Sequence, residues 1–209
     1  MYEEVISHPL AIDVNVNMGK EYKTIDDMIN EAMENECDAV INCTGLGARK
    51  VCTDENDLIG ARGILYHYDR ATCARRLDPA LTNDAVITTE VSPWGVDGYP
   101  CYMIPRGDVI VVGGSYLEGD SECEIRVEER KHLERNAHLL GIDTQKSKPI
   151  NEWTGFRPAR SSGVRLEIDE KFGVDEGIRV IHNYGHGGSG WTVYVGAAKE
   201  VTNLLGLSL

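Results

Sequence analysis

Four glycines fall within six residues, Gly185-His186-Gly187-Gly188-Ser189-Gly190, between the apolar run Arg179–Tyr184 and a run of helical periodicity from Ser189 to about Leu205. A strand that turns into a helix through so many glycines needs backbone where side chains do not fit. The spacing is that of G-x-G-x-x-G. A dinucleotide fingerprint, however, needs a following strand with an acidic residue for the ribose, and only 19 residues follow Gly190. An esterase loop fails too, because it requires a G-x-S-x-G elbow elsewhere. Gly187-Gly188-Ser189-Gly190-Trp191 and Gly113-Gly114-Ser115-Tyr116-Leu117 both lack the final glycine. Two readings remain: a turn that uses glycine for steric reasons, or exposed N–H groups at a helix N-terminus that receive negative charge on a planar ligand.

The rest of the chain narrows the class. Its 209 residues carry 21 Lys and Arg against 34 Asp and Glu, a net charge of -13. Nonspecific nucleic-acid binding and docking on anionic lipid both run on basic side chains, so neither suits this chain. The six cysteines, at 37, 43, 52, 73, 101 and 123, have no C-x-x-C spacing and no histidine at a zinc-finger interval, so no metal site is expected. We read them as reduced thiols of an intracellular protein, with Cys37 and Cys43 in apolar surroundings. No run approaches the roughly 18 apolar residues that a membrane span requires, and the N-terminus lacks the pattern of a signal peptide.

Alternation predicts a strand over 10–17, and Thr24 with Asp27 predicts a capped helix whose apolar face is Ile25, Met28, Ile29, Ala32 and Met33. The apolar run from Asp38 to Cys43 suggests a parallel strand covered on both faces, ending at Thr44-Gly45-Leu46-Gly47. Short strands over 62–69, 85–91, 99–105 and 109–113, the last two joined by Arg106-Gly107-Asp108, indicate an antiparallel sheet. A charged helix over 126–140 stops at Gly141, and strands resume over 164–168 and 178–183. The fold class is therefore α/β: a partial Rossmann-like domain, residues 1–60 and 155–209, interrupted by an antiparallel β-rich domain with a helix, residues 61–154. Arg157, held extended by Pro158, could bind a carboxylate bidentately, although for this residue by itself a structural salt bridge is the favoured reading in so acidic a chain. Tyr102 reads as one aromatic residue of a packed strand.

In combination, Val40-Ile41-Asn42-Cys43-Thr44-Gly45, Tyr102-Met103-Ile104-Pro105-Arg106, Gly113-Gly114-Ser115-Tyr116, Gly155-Phe156-Arg157-Pro158-Ala159-Arg160 and the segment His182–Gly190 resemble the D-amino-acid oxidase family, which includes D-aspartate oxidase. The resemblance implies a partial FAD-binding domain and oxidation of a D-amino acid by hydride transfer from Cα to flavin, giving an imino acid and hydrogen peroxide. D-amino acid and oxygen would be its partners, with a homodimer left open. By that likeness Arg157 binds the substrate carboxylate, Tyr102 donates to it, and the Gly188 carbonyl accepts from the amine. Thr44, Gly45, Gly187, Gly188, Ser189, Gly190, Trp191 and Thr192 would lie along the FAD, with Tyr22 on its adenine side. His182 and His186 are read as structural.

The resemblance begins well inside the family sequence, without its opening G-x-G-x-x-G unit, so a C-terminal part is expected. The alternative is a non-catalytic remnant or binding module that needs a separate N-terminal FAD-binding half. A second active-site tyrosine often precedes the Tyr102 position; Gly98 and Tyr99 stand there. The family implies a peroxisomal address, but Leu207-Ser208-Leu209 lacks the basic residue of that signal, which leaves the cytoplasm open. Arg62, Arg106, Arg126 and Arg160 are all candidates for the extra cation that a D-aspartate side chain would need.

Overall fold

A computed structural model describes residues 17–53, 55–74, 87–89 and 99–207 of the chain. Helix α1 (Ile25–Glu34) starts as its sequence requires: the Thr24 hydroxyl accepts from the Asp27 N–H at 3.2 Å, and the Asp27 carboxylate accepts from the Thr24 N–H at 3.0 Å. Its buried face, Ile25, Ile29 and Ala32, packs on Ile178 and Val180. Each large aliphatic side chain buried there contributes roughly 1.5–3 kcal/mol. Met33 falls off that face and is exposed.

Strand β1 (Ala39–Asn42) runs parallel to β9 (Arg179–Tyr184), and β8 (Arg165–Ile168) pairs antiparallel with the other side of β9. The expectation of a strand covered on both faces fails at β1. Helix α5 (Gly190–Leu204) packs against β8 and β9. Ile41, which points away from the α1 side, is 38% exposed, and among the described residues β1 has a strand neighbour on one side only. Cys37 and Cys43 follow suit: both are exposed rather than set in an apolar interior. Most of the strand expected over 10–17 lies outside the described residues.

The second sheet has six strands: β2 (Leu58–Asp69), β3 (Ile87–Thr89), β4 (Cys101–Arg106), β5 (Val109–Gly113), β6 (Leu117–Glu118) and β7 (Asn151–Arg160). Their order is β3-β4-β5-β2-β6, with β7 also on β2. The β4–β5 hairpin turns through Gly107-Asp108, as the Arg-Gly-Asp segment predicts. The flanks of the strand expected over 85–91 lie outside the described residues. Helix α4 (Val127–Leu139) covers one face of this sheet and ends against Gly141, whose φ of 91° only glycine adopts readily. That core contains Ile64, Tyr68, Met103, Ile110, Leu133 and Ala137. The same face carries a buried ion pair, Arg62 to Glu129 of α4, at 2.5 and 3.0 Å.

Strand β7 was not predicted, because Gly155 and Pro158 interrupt its pattern. It forms because both residues are accommodated at a sheet edge. The Pro158 carbonyl points away from β2 and accepts the Gly187 N–H at 2.7 Å, so the position that lacks an N–H is the one β2 does not need. β2 and β7 pair from Leu58↔Arg160 to His67↔Asn151, so both strands run through the expected boundaries at 60/61 and 154/155. Two short helices also went unpredicted: α2 (Ala48–Val51), which follows a single 3-10 turn over Gly45–Gly47, and α3 (Arg70–Ala74). No helix among the described residues is long and apolar enough to cross a membrane.

Candidate functional site

The pleat of the six-stranded sheet sorts its residues. The face opposite α4 receives Arg157 beside Ala61, Gly155 beside Gly63, and the row Trp153, Leu65, Gly113 and Tyr102. Glycines in this face act as a floor for large side chains. The Arg157 guanidinium lies over Gly63, where a Cβ would come within 2.8 Å of both Cζ and Nη2. The Tyr102 phenol lies over Gly113, where a Cβ would overlap the ring, and its hydroxyl sits 3.0 Å from the place a Cβ would take on Gly114.

The segment 113–116 joins these two side chains. Ser115 is buried, and its hydroxyl accepts from the Ile64 N–H and donates to the Arg62 carbonyl. Asn136 of α4 donates to the Gly113 carbonyl at 2.9 Å. So anchored, the segment offers the Ser115 carbonyl to Arg157 Nη1 at 3.0 Å, and the Tyr116 ring lies 5.6 Å from the Arg157 Cζ, within cation–π range. Tyr116 also faces the glycine turn, where a Cβ on Gly187 would stand 3.8 Å from its hydroxyl. A Cβ on Gly188 would be 3.6 Å from the Arg157 Cδ. Arg157, Tyr102 and Gly188 are therefore brought together, and Tyr116 joins them. Its motif was singled out, but its place against Arg157 arises only from the tertiary fold.

Among the described residues no carboxylate pairs with Arg157, whose Nη1 is held by the Ser115 carbonyl instead. Three of the other arginines are taken: Arg62 by Glu129, Arg126 by Asp120 at 2.7 Å, and Arg160 by Glu55 at 3.0 Å. The Arg126 bond and the Glu122 N–H hold the Asp120 carboxyl down at about 2, against the pull of burial. Arg106 is exposed at the far end of β4. Tyr99 packs into the α4 core, its ring 4.8 Å from that of His132, so it does not reach the Arg157 face; Gly98 lies outside the described residues.

A cleft of about 340 Å³ opens beside Arg157, walled by Gly45, Gly187, Gly188, Gly190 and Trp191. Helix α5 begins here, and no side chain caps its first N–H groups at Ser189. Trp191 is 67% exposed, and Ser189 and Thr192 are exposed in the same turn. A second cavity of about 650 Å³ holds Tyr22 and Thr44 in its wall. Cys43 and Gly45 line the first cavity and Thr44 the second, so the 43–45 turn stands between the two. Tyr22 donates its hydroxyl to Glu31 at 2.6 Å. His182 is fully buried in a polar network, and His186 forms a backbone bridge with Ala159 and also lines the smaller cavity.

An antiparallel sheet that presents an arginine with no carboxylate partner among the described residues toward a glycine-walled cleft thus lies beside a parallel strand pair with its helices. The family model described as FAD dependent oxidoreductase matches residues 13–204, and the chain belongs to that family, whose cofactor is FAD. It is 32% identical over 172 residues to a D-amino-acid oxidase of Rubrobacter xylanophilus, which covers 82% of this chain and 47% of the relative. It is 25% identical over 188 residues to D-aspartate oxidase 1 of Caenorhabditis elegans, covering 89% of this chain and 49% of the relative. Among solved structures, the glycine oxidase of Geobacillus kaustophilus superposes with a TM-score of 0.57 at 16% identity, over 83% of this chain and 43% of that one. The L-proline dehydrogenase of P. horikoshii also gives 0.57, at 11% identity, over 81% and 43%. These likenesses show the fold. The chain spans about half the length of the curated relatives it matches.

Proposed function

We propose that this chain builds the substrate side, and one wall of the flavin site, of an FAD-dependent oxidase acting on D-amino acids. The observation that carries the reading is the convergence of Arg157, Tyr116 and the Gly187-Gly188 backbone, with Tyr102 tied to them through segment 113–116. The cleft suits a planar cofactor. Its wall is bare main chain at five glycines, and the uncapped start of α5 favours negative charge there. When bound, FAD supplies the two-electron chemistry, with oxygen as final acceptor and hydrogen peroxide as product.

The chain's own residues orient the substrate. Arg157 spends Nη1 on the Ser115 carbonyl, which leaves Nε and Nη2 for a substrate carboxylate. Tyr102 donates its hydroxyl to the same carboxylate, and the Gly188 carbonyl accepts from the substrate amine. These contacts hold Cα in one attitude toward the cleft, and no side chain needs to act as a general base. Gly45, Gly187, Gly190 and Trp191 would flank the flavin ring. Ser189 and Thr192 would stand at the helix start, and Thr44 and Tyr22 would meet the rest of the cofactor in the larger cavity.

A second reading has support in the half-length match: a binding module that keeps the carboxylate site and depends on a separate half for FAD. One experiment separates the two. The purified chain is mixed with FAD, freed of excess, and given D-alanine. A retained, shifted flavin spectrum with peroxide release supports the oxidase. A colourless, inactive chain that regains both properties only with a complementing half supports the module.

A further inference from the structure

Beneath the turn that carries Thr44 runs a line of buried polar groups that the proposed reaction does not use. At the end of β1, the Asn42 side-chain oxygen accepts from the Thr44 N–H at 3.2 Å and from the Thr44 hydroxyl at 2.7 Å. A backbone N–H can only donate, so this contact alone fixes which end of the amide is oxygen. Asn42 Nδ2 must then face the other way, where it lies 3.1 Å from His182 Nδ1 and 3.2 Å from the Cys52 sulfur. His182, fully buried on β9, meets a donor at Nδ1 and therefore accepts there. Its proton sits on Nε2, 2.8 Å from Asp169 Oδ2.

Asp169 has no proton to offer. Its Oδ1 accepts from the N–H groups of Lys171 and Phe172 at 2.7 and 3.1 Å, and Oδ2 also accepts from Arg165 Nη2 at 3.0 Å. Burial pushes its carboxyl up, but the Lys171 and Phe172 N–H groups together with His182 outweigh burial and hold it below its ordinary value. One end of the line is thus an obligate acceptor and the other a backbone donor. Only one arrangement of protons satisfies both ends.

We propose that His182 is a positioning residue: Asp169 pins its proton on Nε2, the bare Nδ1 sets Asn42, and Asn42 holds out an oxygen to the Thr44–Gly45 turn. The tautomer of one buried ring, chosen beside β8, thereby fixes a cofactor-facing turn across all three strands of the sheet. The role in cofactor binding rests on the oxidase reading above; the proton order does not. Asp169→Asn should invert the line. Its remaining oxygen stays with the Lys171 and Phe172 N–H groups, so its amide faces Nε2 and Arg165 Nη2 gives up its bond there. The proton moves to Nδ1, Asn42 turns over, and the Thr44 N–H loses its acceptor. Adding Asn42→Asp supplies an oxygen in both directions and restores the contact.

The test uses the chain with 15N-labelled histidine and backbone, without FAD, at neutral pH. Long-range 1H–15N correlation should find His182 neutral with its proton on Nε2 in the parent, and on Nδ1 in Asp169→Asn. Losing the Thr44 bond should speed exchange of that amide by about tenfold, the equivalent of about 1.4 kcal/mol. Asp169→Asn/Asn42→Asp should bring it back close to the parent rate. A parent ring protonated on Nδ1 or on both nitrogens overturns the proposal and needs no variant to be observed. So does Thr44 exchange that ignores Asp169→Asn. FAD fluorescence titration then tests the functional link: affinity should fall in Asp169→Asn and recover in the double variant. Equal affinity in all three overturns the positioning role. A parent chain that takes up no FAD counts against the oxidase reading of this chain, while the proton order is still decided by the spectra.

Discussion

A methyl group placed on Gly63 would stand 2.8 Å from both Cζ and Nη2 of Arg157, and closer still to Nη1. Gly63 lies inside β2 with no left-handed backbone angle, so the main chain accepts alanine there and gains about 0.5–1 kcal/mol from reduced freedom of the unfolded chain. What must yield is the far end of a flexible side chain. If the guanidinium withdraws by about an ångström, it gives up the Ser115 carbonyl, a bond to a charged donor worth roughly 1.5–3 kcal/mol. The net loss of stability for Gly63→Ala should be about 1–2 kcal/mol, read from urea unfolding. The cost to function should be much larger, because a misplacement of about 1 Å in a positioning group costs on the order of 10²-fold. Two assays follow Arg157 itself: the position of its Nε–H resonance in the free chain, and the KM for D-alanine in peroxide release by FAD-loaded protein. A variant with an unmoved Nε–H resonance and a parental KM would refute the idea that Gly63 is the floor of the arginine site.

Other perturbations should behave as follows. Arg157→Met should lower turnover by orders of magnitude with circular dichroism unchanged, while urea unfolding shows only the roughly 1.5–3 kcal/mol of the lost Ser115 bond; unchanged turnover removes Arg157 from the site. Glu129→Ala leaves the buried Arg62 with only the more distant Asp120 carboxylate, 3.7 Å away, and two backbone carbonyls, and urea unfolding should show a loss of about 1.5–3 kcal/mol. Burial pushes the Glu129, Glu55 and Asp169 carboxyls up, yet bonds from Arg62, Tyr184 and the 171–172 backbone leave all three below their ordinary values. The unfolded chain therefore binds protons first, so the contribution of these three groups should be level above about pH 5 and fall as pH drops through the carboxylate range. A midpoint that rises on acidification contradicts those assignments. The Tyr68 hydroxyl is buried without a hydrogen-bond partner among the described residues, so Tyr68→Phe should leave stability unchanged or raise it, as read by thermal unfolding.

Local chemistry was legible in the sequence wherever neighbouring residues decide it. Thr24 with Asp27, Gly107-Asp108 and Gly141 each specify an end or a turn within four residues, and each does so in the structure. β7 was missed because its two irregular residues are explained by partners far along the chain: Gly63 opposite Gly155, and Gly187 against Pro158. The arginines show the same limit. Nothing near Arg62 or Arg160 in sequence announces Glu129 or Glu55, yet those pairings remove two of four candidates for a second carboxylate site. Arg157 and Gly188 were reached from motifs, whereas Tyr116 was reached only through the fold.

The Pro158–Gly187 hydrogen bond, with the Ala159–His186 bridge beside it, means that the arginine and the glycine turn share a single rigid mount. The gap between Arg157 and Gly188 is then a property of main-chain bonds, one residue from each end of the bridge. Side chains around the rim are free to drift without changing that gap. Under the proposed function, a protein built this way could revise what it accepts by altering Tyr116, Trp153 or Leu65 while the ruler that would measure an α-amino acid stays the same length.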